Sequence, residues 1–280
     1  MLGKLLKHEW KTVWKVPTLL IGILMIIAVV AGLTFALPIW DSEWIGLPLS
    51  GMMLILLFYV AIISVGIGIT IYFAVRYYKN MFTDEGYLTH TLPVTARQLL
   101  VNKVITMSAW NLIAVIAVVL SLVVFGGVTM LSLAAKEGSF AIDLLEAIEE
   151  LKDIWNHPFF NGFKSFVVSG ICMVLVSAVS GTMMVIGSIT LGQMVRKHRI
   201  LGSIGAYFAI NTVVQIVSMV IIFPIMIKMV TDEAFLSNFE TSPFAFYTTT
   251  YAVMSVVFLV TSVGLYFLSE YLLRKKLELE

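Results

Sequence analysis

Histidine and cysteine side chains would most readily bind a metal ion or act as nucleophiles, and here they are few and scattered. They are His8, His90, His157, His198 and Cys172. His8 and Glu9 do not begin an H-E-x-x-H zinc helix, because Thr12 occupies the place of the second histidine. No G-x-x-x-x-G-K-[ST] phosphate loop occurs either. We therefore expect no catalytic, metal-binding or cofactor-binding residues on this chain.

Polar side chains within long apolar stretches are the other candidates for chemistry. Asn111 lies in one such stretch, and Asn211 and Gln215 lie one helical turn apart in another. Carboxamides at such positions commonly form hydrogen bonds between helices, and contact with a transported substrate is the alternative. Cys172, the single cysteine, can form no disulfide within the chain. Its apolar surroundings predict a small buried residue.

The elements that must hold these residues are membrane-spanning helices. The chain has 280 residues, of which 60% are hydrophobic and 12% charged, against about 25% charged in ordinary soluble domains. Six uncharged runs are each at least 25 residues long, whereas a bilayer core about 30 Å thick needs roughly 20 residues of helix. We expect an all-α membrane protein forming a single transmembrane domain over residues 1–280. Its predicted spans are about 18–37, 49–75, 96–133, 165–194, 201–227 and 245–270.

Charge placement predicts the topology. With the N-terminus in the cytosol, fourteen of the 18 Lys and Arg residues fall in cytosolic segments and eleven of the 17 acids fall outside. Basic residues favour the cytosolic side of a membrane. Both termini are therefore predicted to be cytosolic. Aromatic residues, including Tyr77 and Tyr78, are expected near headgroup level.

Residues 1–16 have the pattern of a basic amphipathic helix that lies along the inner membrane interface. Apolar and cationic residues alternate at helical spacing, so that leucines and tryptophans can enter the acyl boundary while lysines meet anionic lipid headgroups. The residues of this interfacial helix are Leu2, Lys4, Leu6, Lys7, Trp10, Lys11 and Trp14.

Two long connections separate the spans. The cytosolic connection 76–103 contains Thr95 and Gln98, a T-x-x-Q capping box that predicts a helix starting near Ala96. The outer segment 136–164 has the pattern of an acidic amphipathic helix. We interpret it as a solvated connector with one apolar face packed on the bundle, in preference to a receptor site.

The cytosolic sequence DEGYLTHTLPVTARQLLVNK resembles the first cytoplasmic loop of ABC-2-type permeases, the membrane subunits of bacterial ABC exporters. The resemblance consists of an acidic residue with glycine, a leucine-containing segment, a proline followed by a small polar residue, a leucine pair and a lysine. These residues are Glu85, Gly86, Leu88, Leu92, Pro93, Thr95, Leu99, Leu100 and Lys103.

The resemblance implies a permease subunit that moves a hydrophobic or amphipathic substrate. Residues 87–92 would form a coupling helix that docks on a separate ATPase subunit, in two copies, which holds ATP and magnesium. The implied coupling residues are Glu85, Gly86, Tyr87, Leu88, Leu92 and Pro93. The family also implies a second permease subunit, identical or related, contact with membrane lipids but not nucleic acid, and the bacterial cytoplasmic membrane as location.

Two other classes of function are alternatives to a permease. A non-transporting membrane scaffold or sensor could bind a soluble partner through the same loop. A secondary transporter or intramembrane enzyme would need charged or nucleophilic residues within the spans, and the sequence lacks such a constellation.

Overall fold

The computed structural model describes residues 2–37, 40, 44–83, 95–137, 162–195, 197–231 and 243–275, and these are almost entirely helical, without a strand. Within these residues, seven α-helices and one 3₁₀ turn follow one another. They are α1 (Leu2–Val13), α2 (Lys15–Leu33), the 3₁₀ turn (Thr34–Ala36), α3 (Gly46–Phe82), α4 (Ala96–Glu137), α5 (Phe163–Gly192), α6 (Arg199–Thr231) and α7 (Pro243–Lys275).

Six of these helices, α2 to α7, are long and apolar enough to cross a bilayer, which confirms the prediction of six spans. Large apolar side chains cover much of their outer surface, as the exposed Ile26, Met53 and Met130 illustrate. Such continuous apolar exposure is unfavourable in water and favourable in lipid. The chain is therefore a multi-pass membrane protein.

The short interruption between α1 and α2 follows from Pro17. Proline has no N–H to donate to the carbonyl of Val13, four residues earlier, and its ring crowds that carbonyl. The neighbouring helical bonds are present, from the Trp14 N–H to the Trp10 carbonyl at 3.2 Å and from the Thr18 N–H to the Trp14 carbonyl at 3.1 Å. Trp14 also has helical torsion angles. The backbone thus passes from α1 to α2 through one residue.

The chain divides into two compact units. Unit 1 comprises Met1–Leu2, Ala74–Ala109 and Asp153–Glu280, and unit 2 comprises Gly3–Phe73 and Trp110–Lys152. Unit 1 therefore contains the last part of α3, the first part of α4, and α5, α6 and α7. Unit 2 contains α2 and the remaining parts of α3 and α4.

In unit 1, α5 packs against both α6 and α7. Near the start of α5 the seam with α7 is aromatic, with the Phe166 ring stacked on that of Tyr251 at 5.5 Å and near Phe244 at 5.3 Å. Towards its end, Gly187 lies against the side chain of Leu265. A glycine at this position allows the two helices to approach closely.

Backbone hydrogen bonds are present at the end of α5 and at the start of α6. The Val195 N–H donates to the Gly192 carbonyl at 3.1 Å, and the Gly202 N–H donates to the His198 carbonyl at 2.8 Å. Gly192 lies directly against the backbone of Ser203. The first turns of α6 are thereby held against the end of α5.

Unit 2 is organised around an aromatic cluster. Phe125 of α4 stacks on Phe58 of α3 at 5.0 Å and meets Phe35 edge-on at 6.4 Å. Gly32 of α2 faces Val128 so closely that a Cβ at this glycine would lie 2.9 Å from the Val128 side chain. Small and aromatic residues therefore bring α2, α3 and α4 together.

Candidate functional site

The predicted coupling residues Glu85, Gly86, Tyr87, Leu88, Leu92 and Pro93 lie outside the described residues, as do residues 138–161 of the outer segment. The described chain nevertheless reaches both edges of the coupling segment. Helix α3 ends at Phe82 on one side and α4 begins at Ala96 on the other. The described part of the candidate site therefore consists of the two helix ends beside this segment.

The end of α3 is firmly packed. Tyr77, Met81 and Phe82 are all buried, and the Tyr77 ring meets the Phe82 ring edge-on at 5.8 Å. A helix end exposed to solvent would normally fray. Here the last two turns carry large buried side chains, so this end is fixed within unit 1.

The start of α4 is fixed by the capping box that the sequence predicts. The Gln98 N–H donates to Thr95 Oγ1 at 3.3 Å, and the Thr95 N–H donates to Gln98 Oε1 at 3.3 Å. This reciprocal pair satisfies two backbone donors that the helix itself cannot. Leu99 and Leu100 are buried directly behind the cap. The helix start therefore has both a local and a tertiary anchor.

A buried hydrogen bond connects the end of α3 to α5. The Thr190 hydroxyl donates to the Ile186 carbonyl at 2.8 Å, which uses its only hydrogen. The Tyr77 hydroxyl lies 3.4 Å from Thr190 Oγ1 and must therefore be the donor between them. Both side chains are buried, Tyr77 to 1% relative exposure. The sequence predicted only a headgroup-level position for Tyr77 and gave no sign of this partner.

Further polar side chains are buried on the first part of α4. Asn102 and Thr106 stand one turn apart on one face, and Lys103 adjoins them, all three buried within unit 1. Lys103 takes part in a polar interaction. Among the described residues, Asn102 Oδ1 and Thr106 Oγ1 find no hydrogen-bond partner.

The residues of the predicted interfacial helix differ in exposure. Lys4, Lys7 and Lys11 are exposed and Leu6 is half-buried, whereas the Leu2 side chain lies outside the described set. Trp14 is exposed. Trp10 stacks on Trp110 of α4, with ring centroids 5.0 Å apart and planes 25° apart. One side of α1 is thus attached to α4 within unit 2.

Of the three carboxamides noted in the sequence, one lies on α4 and the other two lie one turn apart on α6. Asn111 on α4 is half-buried and has a polar interaction. Asn211 on α6 is half-buried and Gln215 is exposed. On α7, Glu270 and Arg274 form an ion pair at 2.9 Å, as their spacing predicts.

The exposure of Cys172 differs from the prediction. The sequence predicts a buried residue, but Cys172 is exposed on α5. On a helix that can span a membrane, an exposed apolar side chain of this kind can face lipid. Lipid accepts a small apolar side chain as readily as a protein core does, so the apolar pattern of a span does not distinguish the two environments.

The described part of the chain offers mechanical connections rather than reactive groups. Within it, no group of three or more His, Cys, Asp or Glu side chains is placed to hold a metal ion. Its main feature is the pair of packed helix ends, at Phe82 and at Ala96, on the two sides of residues 84–94.

Comparisons with protein-family models, with curated proteins and with solved structures find no match to this chain.

Proposed function

We propose that this protein is the permease subunit of an ATP-driven exporter for a hydrophobic or amphipathic substrate, and that a separate subunit hydrolyses the ATP. The loop sequence that resembles ABC-2-type permeases, 84–103, would transmit the work of that subunit. Six apolar helices supply the membrane domain that such a function needs. The chain has no P-loop, so the nucleotide and its magnesium would belong to the partner.

One observation carries the proposal: both helix ends beside the loop are packed into the same compact unit as α5, α6 and α7. Tyr77 and Met81 anchor one end, and Leu99 and Leu100 anchor the other. If the helix ends beside the loop were frayed, a force from the ATPase would unfold them locally. Because these ends are packed, the same force would move the helices as rigid bodies.

The lengths of these two helices fit the same role. Helix α3 has 37 residues and α4 has 42, which correspond to ~56 Å and ~63 Å. A hydrocarbon core is only about 30 Å thick. Both helices can therefore extend well beyond the membrane and hold residues 84–94 away from its surface, where a soluble ATPase could reach them.

We further propose that both termini are cytosolic and that α1 lies at the inner interface. The lysines of α1 would meet anionic headgroups, while Trp10 holds the helix to Trp110. In this arrangement the loop 84–94 and α1 are on the same side of the membrane. A cytosolic ATPase could then contact both.

Purification from cells tests the coupling proposal. The variant with Tyr87→Glu and Leu88→Glu should lose a co-purifying P-loop ATPase, because two charges would replace the apolar side chains of the proposed docking element. The matched control carries Phe159→Glu and Phe160→Glu, the same chemical change in the connection predicted to lie outside, and should keep the ATPase. Retention by both variants, with ATPase stimulation intact, would refute the coupling role.

Thiol labelling tests the orientation. In a Cys172→Ser background, needed because Cys172 is exposed, His157→Cys and His198→Cys should react from opposite sides of the membrane. Reaction of both from the outside would contradict the topology. Binding of a soluble protein at the loop with no ATP-dependent substrate movement in vesicles would instead favour a scaffold or sensor.

A further inference from the structure

Helix α6 is the least covered of the six membrane helices. In its most apolar stretch only 6% of the residues are buried, whereas the values for the other five helices lie between 17% and 28%. It packs against α5 and, to a smaller extent, α7. Most of its surface is therefore available to lipid or to another protein.

One exposed stripe of α6 has the spacing of a helix-packing seam. The residues follow one another at intervals of three, four, three and four, and all are exposed. They are Gly205, Phe208, Thr212, Gln215 and Met219, which we call the α6 seam. This repeat of 3.5 residues keeps one face of a helix against a parallel neighbour over several turns. A Cβ at Gly205 would meet no other atom within 4 Å, so the seam is open at this end.

Gln215 makes lipid an unfavourable neighbour for the seam. The α6 span runs over Arg199–Lys228, so Gln215 lies only ~2 Å from its midpoint along the axis. Its carboxamide forms no hydrogen bond to a described residue, and that of Asn211, one turn away, forms none either. An amide without a hydrogen-bonding partner is strongly disfavoured in hydrocarbon.

Thr212, the neighbouring polar residue of the seam, does not need a partner outside its own helix. The Thr212 hydroxyl donates to the Phe208 carbonyl of its own helix at 2.8 Å. A threonine can therefore face lipid with its hydroxyl satisfied. The need for an external partner is specific to the carboxamides, and Gln215 is the one that lies in the seam.

A water-filled conduit would satisfy Gln215 but would suit the rest of the seam poorly. Phe208 is 65% exposed and Met219 is 69% exposed, and water would wet both of these large apolar side chains. Lipid suits Phe208 and Met219 but leaves Gln215 without a partner. A protein surface that is apolar with one carboxamide at the same depth satisfies all three.

We propose that the α6 seam binds the α6 seam of a second copy of this chain, with the two Gln215 carboxamides hydrogen-bonded to each other. A carboxamide is self-complementary, because its N–H₂ donates and its oxygen accepts. In a two-fold symmetric pair the same residue approaches its own copy at the same depth. A single polar residue in an otherwise apolar seam also fixes the register of the two helices.

This inference deepens the proposed function by naming the second subunit and its contact surface, and it rests on the expectation that a permease works as a pair. Association of the chain can be measured without any ATPase. Loss of ATPase coupling and loss of self-association can therefore be told apart.

Dilution in lipid vesicles tests the association. The fluorescently labelled full chain is reconstituted at decreasing protein-to-lipid ratios, and dimers are counted by single-molecule photobleaching. We expect Gln215→Leu to lower the association constant roughly tenfold, as loss of interhelical amide hydrogen bonds would. Gln215→Asn keeps a carboxamide and should retain most of the affinity. Thr212→Val is the matched control on the same face and should associate as the unaltered chain does.

Disulfide cross-linking tests which face is involved, in a Cys172→Ser background. Met219→Cys leaves Gln215 intact and should form a cross-linked dimer on mild oxidation. Val213→Cys is exposed and close to Gln215 in depth but about 160° around the helix from it, and should not cross-link.

Five results would each overturn the proposal. Three concern association: a monomer at all lipid ratios, unchanged association of Gln215→Leu, and association only with a different protein. The fourth is equal cross-linking of Val213→Cys. The fifth is reaction of Gln215→Cys with a membrane-impermeant thiol reagent, which would place α6 along a water-filled conduit.

Discussion

Helices α5 and α6 approach each other so closely at Gly192 that we expect Gly192→Ala to destabilise the protein. A Cβ at this position would lie 2.5 Å from Ser203 Cα and closer still to Ser203 N. Carbon atoms in contact are normally ~3.5–4.0 Å apart. The start of α6 would therefore have to move by about 1 Å.

The size of this effect can be worked out from two opposing contributions. Overpacking of this kind costs about 1–3 kcal/mol. Gly192 is the last residue of α5 and does not have a positive φ, so alanine suits its backbone and returns up to ~1 kcal/mol of helix propensity. We expect a net loss of about 1–2 kcal/mol in the free energy of unfolding. Because part of the overlap is with backbone atoms, Ser203→Gly should not restore the loss.

Reversible unfolding in mixed micelles by increasing sodium dodecyl sulfate, followed by tryptophan fluorescence and circular dichroism, measures this difference. The matched control is Gly181→Ala on the same helix, where a Cβ would meet no atom within 4 Å. It should be as stable as the unaltered chain or slightly more so. Equal stability of the two alanine variants would refute the claimed close approach of α5 and α6.

Two further predictions concern the anchored helix ends. Thr190→Val should cost more stability than Tyr77→Phe in the same titration, about 1–3 against 0.5–1.5 kcal/mol, because valine leaves the buried tyrosine hydroxyl unpaired while phenylalanine leaves the bond from Thr190 to Ile186 intact. The reverse order would contradict the assigned donor. Thr95→Ala should remove about 1 kcal/mol of capping and speed hydrogen exchange at the Gln98 amide about fivefold, measured by mass spectrometry. Unchanged exchange there would show that the cap contributes nothing.

The features that sequence predicts well are those decided within a few residues or by the solvent. Uncharged runs predict spans because any apolar helix of sufficient length is stable in lipid. The capping box at Thr95 and Gln98 and the pair of Glu270 and Arg274 depend only on neighbours along one helix, and both are present. The interruption before α2 is equally local, because it follows from Pro17, but it was not among our predictions.

Which face of a span meets protein could not be predicted, because lipid and a protein core accept the same side chains. Cys172 was expected to be buried and is exposed. Tyr77 finds its partner Thr190 on a helix more than a hundred residues later. The exposed position of Gln215 likewise depends on how little of α6 its neighbours cover. Such contacts come from tertiary packing, which no local pattern specifies. The assignment of residues 84–94 to ATPase coupling stays a prediction.

Helix α4 is continuous, and it contributes buried side chains to the cores of both units. Its residues up to Ala109 belong to unit 1, and those from Trp110 onward belong to unit 2. Within either core, inserting a single amino acid into its part of α4 would turn the buried side chains on one side of the insertion by about 100° relative to those on the other, and shift them by about 1.5 Å. A packed core cannot accommodate both sets at once. The length of this helix should therefore be among the least variable properties of the molecule, so that evolution or engineering would alter connections between helices long before it altered the number of residues here.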